Sequence, residues 1–186
     1  MANVVIVTDM LRGFHDMGHL QNPRTGKIIP NIVKLLDEKV RDGWTVVFLR
    51  DYHDPDDKEF EMFPIHCVAG SPETRIVLEL ARFTALPKSV VVNKTRYSGF
   101  FGTYLDRFLR EENPDELIVV GVCTDICVLF TVADLRMRDY KVTVPEDCVE
   151  TFDALGHQAE KVNKCVLNYM RNILGVKIVN SKKPIC

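Results

Sequence analysis

No stretch of this 186-residue sequence is long and apolar enough to span a bilayer; its apolar runs, such as residues 4–7 and 117–120, have the length of a buried strand. A membrane protein is therefore not expected. Positive charge is not in excess either. The formal net charge is -2, both signs are interspersed, and no basic stripe or arginine-rich arm offers a footprint for nucleic acid. The six cysteines include no C-x-x-C pair and no zinc-finger spacing. No secretory leader is evident, since Met1-Ala2-Asn3 runs straight into an apolar strand, so the thiols are expected to be reduced in a cytoplasm, with Cys186 incidental. Linkers, repeats, heptads and low-complexity tracts are lacking, and the length suits one domain over residues 1–186. After the first strand, Thr8-Asp9-Met10-Leu11-Arg12-Gly13 has neither the G-x-G-x-x-G nor the Walker pattern, so nothing there brings a nucleotide.

What is present is a regular alternation of strand-like and helix-like segments. Strands are expected at residues 4–7, 45–49, 90–92, 117–120, 141–144 and 176–179, the last followed by a ragged Ser-Lys-Lys-Pro tail. Between them come helical patterns: one opened by Pro30 and stopped by Gly43, one over residues 72–81, one over 101–111, one capped by Asp125, and one over 155–173. Residues 11–26 and 50–71 read as long irregular loops, and such loops in a compact domain usually carry function. The alternation predicts an α/β fold: a three-layer, doubly wound, mostly parallel sheet of about six strands. Helices on both faces would offer self-complementary surfaces, so the oligomeric state is open with a lean towards a homo-oligomer.

In such a sheet, ligands collect beyond the carboxyl ends of the strands. Asp9, Asp51 with His53, Lys94 and Cys127 all fall there. Cys127 lies in the first turn of a helix, where free N–H groups and the dipole favour a thiolate, and Lys94 beside it would do the same. The bland alternatives are a buried hydrophobic cysteine, a loop-bonding aspartate and a surface lysine. An acid, a lysine and a cysteine on one rim nevertheless make a chemically matched set for covalent catalysis. Asp51 and His53 are two apart in an extended segment and point the same way; with His66 and a further oxygen they suit zinc, manganese or iron(II). An acidic solvated loop with incidental histidines would look similar. His15 and His19 read as loop residues near the pocket mouth, and His157 as structural, on the last helix and away from this rim.

These residues make the chain resemble the isochorismatase-like cysteine hydrolases, and among them the nicotinamidases, over about residues 4–179. The strongest piece is Val120-Gly121-Val122-Cys123-Thr124-Asp125-Ile126-Cys127-Val128, similar to the family's nucleophile segment. Lys94 with Tyr97-Ser98-Gly99-Phe100, and Asp9 with Phe14, match two further segments. The resemblance implies Cys127 as nucleophile, Asp9 as proton-transferring acid and base, and Lys94 as the cationic third member. It also implies a cis peptide at Val122–Cys123, an oxyanion hole from the Cys123 and Cys127 amides, and a substrate pocket with Phe14, Phe63, Tyr97 and Val122. Asp51-x-His53 and Phe63-Pro64-x-His66 resemble the metal segments of nicotinamidases, with Glu59 in the place of a fourth ligand.

The implied activity is hydrolysis of nicotinamide, and of pyrazinamide, with one divalent metal, zinc first. The alternatives are a metal-free relative acting on another amide, a ureido compound or isochorismate, and a non-catalytic member of the fold. Within the loop, Glu61 offers the same chemistry as Glu59 two residues away, while Asp56 and Asp57 have shorter arms that reach less easily.

Overall fold

Strand β1 (Asn3–Thr8) lies inside the sheet, between β2 (Thr45–Asp51) and β4 (Glu116–Val122), both parallel to it. A computed structural model describes residues 3–181 of the chain; Met1, Ala2, Cys186 and the end of the Ser-Lys-Lys-Pro segment lie outside the described residues. Beyond β2 comes β3 (Ser89–Lys94), and beyond β4 come β5 (Val142–Pro145) and β7 (Lys177–Val179). The order is β3-β2-β1-β4-β5-β7, with the two-residue β6 (Val149–Glu150) also pairing with β4, and each of these strand pairs is parallel. The fold is the parallel α/β sheet expected: among the described residues it has the six strands read from the sequence and, in addition, the two-residue β6. A two-residue strand leaves no periodic signal, so β6 could not be read in advance.

Period-two alternation divides β1 between two cores. Val5 and Val7 face α1 (Ile29–Arg41) and α2 (Leu78–Ala81), joining Ile32, Leu36 and Leu80. Val4 and Ile6 face the other way, joining Leu105 and Leu109 of α3 (Leu105–Glu112), Val132 and Leu135 of α4 (Leu129–Arg136), and Leu167 and Met170 of α5 (Ala159–Asn172). Each such aliphatic side chain taken fully out of water contributes roughly 1.5–3 kcal/mol. Burial on both faces explains why these strands read as unbroken apolar runs.

Several boundaries differ from expectation. Gly121 does not close β4; it pairs with Thr8 of β1 and Val149 of β6, and the strand runs on to Val122, paired with Glu150. Gly121 has φ 113°, and a Cβ there would sit 2.0 Å from the Thr8 carbonyl oxygen, so only glycine permits this approach. The third helix starts at Leu105, where the Thr103 hydroxyl accepts the Leu105 N–H (3.1 Å), and Phe101 is 61% exposed rather than on an apolar face. The expected helix over 72–81 is split into a single 3-10 turn, Pro72–Thr74, and the short α2. The last helix begins at Ala159, because Ala154 and His157 pair with each other across a turn at Leu155-Gly156. Residues 12–14, 23–27 and 58–61, taken from the sequence as irregular, form 3-10 turns.

Candidate active site

At the carboxyl ends of the strands lies a cavity of about 470 Å³. The residue after β1 and the last residues of β2 and β3 are Asp9, Asp51 and Lys94, and sheet register brings them together: Asp51 and Lys94 are direct partners across β2 and β3. Lys94 is 2% exposed, and its ammonium is the hub. It forms a short ion pair with Asp51 Oδ1, lies 2.8 Å from Asp9 Oδ2 off the ideal hydrogen-bond direction, and reaches Cys127 Sγ at 3.5 Å. Asp9 sits at φ 49°, its N–H on the Leu49 carbonyl (3.1 Å) and its Oδ1 accepting the Asp51 N–H (3.0 Å). Cys127 stands in a π turn, Thr124–Val128, whose Ile126 and Val128 N–H groups both donate to the Cys123 carbonyl (3.1 Å each). The Val122–Cys123 peptide is cis.

Burial sets the protonation of this cluster. It pushes Asp9 up to about 7, with Asp51 adding to the shift and Lys94 opposing it. The same burial pushes Asp51 up, but Lys94 and His53 outweigh it and hold that carboxyl at about 2. Cys127 is pushed well up by burial, Lys94 opposing and Asp9 and Asp51 adding. This corrects the expectation of a resting thiolate: beside two carboxylates and out of water, the sulfur keeps its proton until a base removes it. Asp9 titrates near neutrality, in the range suited to that task.

The other end of the cavity is built around Asp51 Oδ2. It lies 3.7 Å from His53 Nε2 and 3.8 Å from His66 Nε2, and His66 Nε2 lies 3.9 Å from Glu59 Oε1. A parallel bridge, His53 with Val68, closes the loop between the two histidines, with His53 N–H on the Cys67 carbonyl and Ala69 N–H on the His53 carbonyl. Each imidazole uses its other nitrogen elsewhere. Nδ1 of His53 meets Asp57 Oδ2 at 3.1 Å, and Nδ1 of His66 meets the Pro64 carbonyl at 2.8 Å, so both Nε2 atoms turn inwards. Inside, His53 Nε2 and Glu59 Oε2 are buried with no hydrogen-bond partner among the described residues.

The donor atoms of Asp51, His53 and His66 all lie within 4.8 Å of one another. Those separations are too long for mutual hydrogen bonds and slightly wider than the roughly 3–3.5 Å between neighbouring ligands on a zinc-like ion. Orphaned buried donors of this chemistry fit a divalent cation. Burial pushes His66 down, leaving its lone pair free, and pushes Glu59 up, with Asp51 adding. A cation would offset the second effect. Glu61 is exposed, whereas Glu59 is buried towards the cluster.

Phe14, Phe63, Tyr97 and Val122 all line the cavity, as do Cys123 and Cys127. His19 is at its wall, while the His15 ring packs by Gly26. His157 corrects a sequence expectation. It precedes the last helix instead of lying on it, and its Nε2 meets Asp125 Oδ2 at 2.8 Å, within the turn that carries Cys127. Asp125 does not cap a helix; its other oxygen accepts the Thr151 hydroxyl (2.6 Å). Phe152, a cavity wall, stacks on the His157 ring at 4.2 Å. The His157–Asp125 contact spans 32 positions and has no local signal in the sequence.

The Isochorismatase domain profile matches residues 3–166. The isochorismatase family protein PncA of Bacillus subtilis (strain 168) is 32% identical over 169 residues, covering 87% of this chain and 89% of its own. A crystal structure of nicotinamidase/pyrazinamidase PncA from Bacillus subtilis matches with a TM-score of 0.87 and 29% identity, covering 97% of this chain and 100% of that one. N-carbamoylsarcosine amidase from Thermoplasma acidophilum matches with a TM-score of 0.85 and 29% identity over 100% of both chains.

Proposed function

The chain belongs to the isochorismatase domain family of hydrolases, and from that premise we propose that it is a nicotinamidase, converting nicotinamide to nicotinic acid and ammonia in NAD salvage in the cytoplasm. The observation that carries the reading is Asp51. One of its oxygens joins the Lys94, Asp9 and Cys127 group, and the other faces two inward-turned histidines across the same cavity. A flat pyridine amide needs both ends at once: a nucleophile at its carbonyl and a ligand for its ring nitrogen.

In the proposed mechanism, Asp9 takes the Cys127 thiol proton as the sulfur attacks the amide carbon. Lys94 balances the negative charge beside the sulfur. The Cys123 and Cys127 N–H groups hold the oxyanion. The C–N bond breaks as Asp9 passes its proton to the departing nitrogen, leaving ammonia and a thioester on Cys127. A water then gives a proton to Asp9 and attacks the thioester; the C–S bond breaks, the proton returns to sulfur and the acid leaves. Phe14 and Phe63 would sandwich the ring, and Tyr97 lines the same cavity. Asp51, His53, His66 and Glu59 would hold one divalent ion, zinc before manganese or iron(II), which when bound supplies a Lewis-acid partner for the pyridine nitrogen.

The test is ammonia release from nicotinamide and pyrazinamide by metal-loaded protein, abolished in Cys127→Ala; no release from either substrate refutes the assignment. The full-length likeness to the N-carbamoylsarcosine amidase favours, as a second reading, a ureido amide substrate. That reading predicts no stoichiometric metal after reconstitution.

A further inference from the structure

Asp57 lies in the loop between the two histidines, and its carboxylate is turned inwards, with 8% of its side chain exposed. Its two oxygens serve two different members of the histidine cluster. Oδ2 faces His53 Nδ1 at 3.1 Å; a carboxylate can only accept, so that nitrogen carries the proton, and in the neutral imidazole Nε2 presents its lone pair to the cluster. Oδ1 accepts the Glu59 N–H at 2.9 Å, making Asp57 the N-cap of the 3-10 turn Lys58–Glu61 that buries Glu59. The same Oδ1 accepts from Arg96 Nη1 at 2.7 Å, and Arg96 follows Lys94 by two residues. Arg96 thus clamps the loop to the segment that carries the lysine. Its guanidinium stays 4.0 Å from Glu59 Oε2, leaving that oxygen without a hydrogen bond among the described residues.

We infer that Asp57 is the positioning residue of the metal centre: one carboxylate that aims His53 and seats Glu59, held in place by Arg96. This rests on reading Asp51, His53, His66 and Glu59 as metal ligands. Asp57 is not itself a ligand, since both oxygens are engaged away from the cluster. Outer partners of this type hold the tautomer and orientation of a ligating histidine, and their loss typically weakens metal affinity by about 10–100-fold.

The test measures zinc affinity of the full-length chain by competition with a chromophoric chelator, together with the visible spectrum of the cobalt(II)-loaded protein. Asp57→Ala is expected to weaken zinc binding by about 10–100-fold and to shift the cobalt bands, because two ligands lose their set positions. Asp57→Asn retains the shape but has one acceptor oxygen, so it should fall between wild type and alanine. It also stands in if the alanine variant does not fold. Arg96→Gln should weaken binding by less than Asp57→Ala. Wild-type zinc affinity and cobalt spectrum in both Asp57 variants, with only the thermal midpoint lowered, would overturn the inference, since Asp57 would then merely pin its loop. A wild-type chain that binds no zinc, manganese or iron(II) overturns it together with the metal reading. A chain that binds zinc, loses it on Asp57 substitution and releases no ammonia from nicotinamide supports the inference and refutes only the proposed substrate.

Discussion

The two ends of the cavity are built by different means. The thiol end stands on the sheet: Asp9, Asp51 and Lys94 terminate three adjacent strands, and the lysine ammonium touches both carboxylates and the sulfur. The histidine end is supplied largely by the loop from His53 to His66, closed by one bridge, and it leaves His53 Nε2 and Glu59 Oε2 without hydrogen-bond partners among the described residues. Charges at the first end answer one another, although Asp9 Oδ2 meets the lysine off the hydrogen-bond direction, so it is the more complete of the two as protein alone. At the second end the donors converge on a point and do not bond each other, the condition expected of groups that await a cation. Asp51 belongs to both.

The largest effect should come from removing the hub of the more complete end. Lys94→Met leaves Asp9 and Asp51 buried without their counter-charge, a loss of about 3–5 kcal/mol. For a chain of this length that is a fall of roughly 6–20 °C in the thermal midpoint by calorimetry. A midpoint unchanged by the substitution would break the contrast, since the thiol end would then not depend on its ion pairs. Gly121→Ala should follow, because its Cβ would meet the Thr8 carbonyl at 2.0 Å and the backbone there has φ 113°. Its destabilisation should exceed the roughly 1 kcal/mol of an ordinary glycine substitution, measured by urea unfolding.

At the incomplete end, Glu59→Ala should leave the fold and the alkylation rate of Cys127 little changed. Metal retained after dialysis should fall, and Glu61→Ala should do little. Metal lost on changing Glu61 and kept on changing Glu59 would move the ligand to Glu61; no change with either would leave three protein ligands. The smallest effect belongs to the support outside the sheet. Partial burial pushes His157 down, but Asp125 and the Phe152 carbonyl outweigh it and hold the imidazole above its ordinary value. A raised folded-state value means the pair's contribution is fully present below about pH 6.5 and is lost as pH rises through the folded value. The wild-type midpoint should therefore drop slightly more between pH 6 and 8 than that of His157→Gln; equal slopes would show that the pair contributes nothing.

Most of the fold was legible because both faces of the sheet are buried, which writes each strand as an apolar run. The rim residues were legible for a related reason, since the end of each run marks where its strand reaches the ligand side. The misreadings came where local pattern and long-range pairing disagree. Helical spacing continued through Leu155 to Gln158, but Ala154 and His157 bonded each other; apolar spacing began at Phe101, but the Thr103 cap set the start later. The expected thiolate failed because a helix terminus and one lysine are local influences, whereas burial beside two carboxylates is a property of the assembled core.

The order of elements, the strand-end placement of Asp9, Asp51, Lys94 and Cys127, and the likeness of the nucleophile segment were determined by the sequence alone, because each is written within a few consecutive residues. Tertiary structure decided the rest. It chose which of two buried carboxylates keeps its charge, turned both histidine Nε2 atoms inwards, buried Glu59 while exposing Glu61, and set Asp57 and Asp125 to hold other residues. Protonation and side-chain aim depend on groups that are distant in the chain and meet only when the sheet has formed and water has left the space between them.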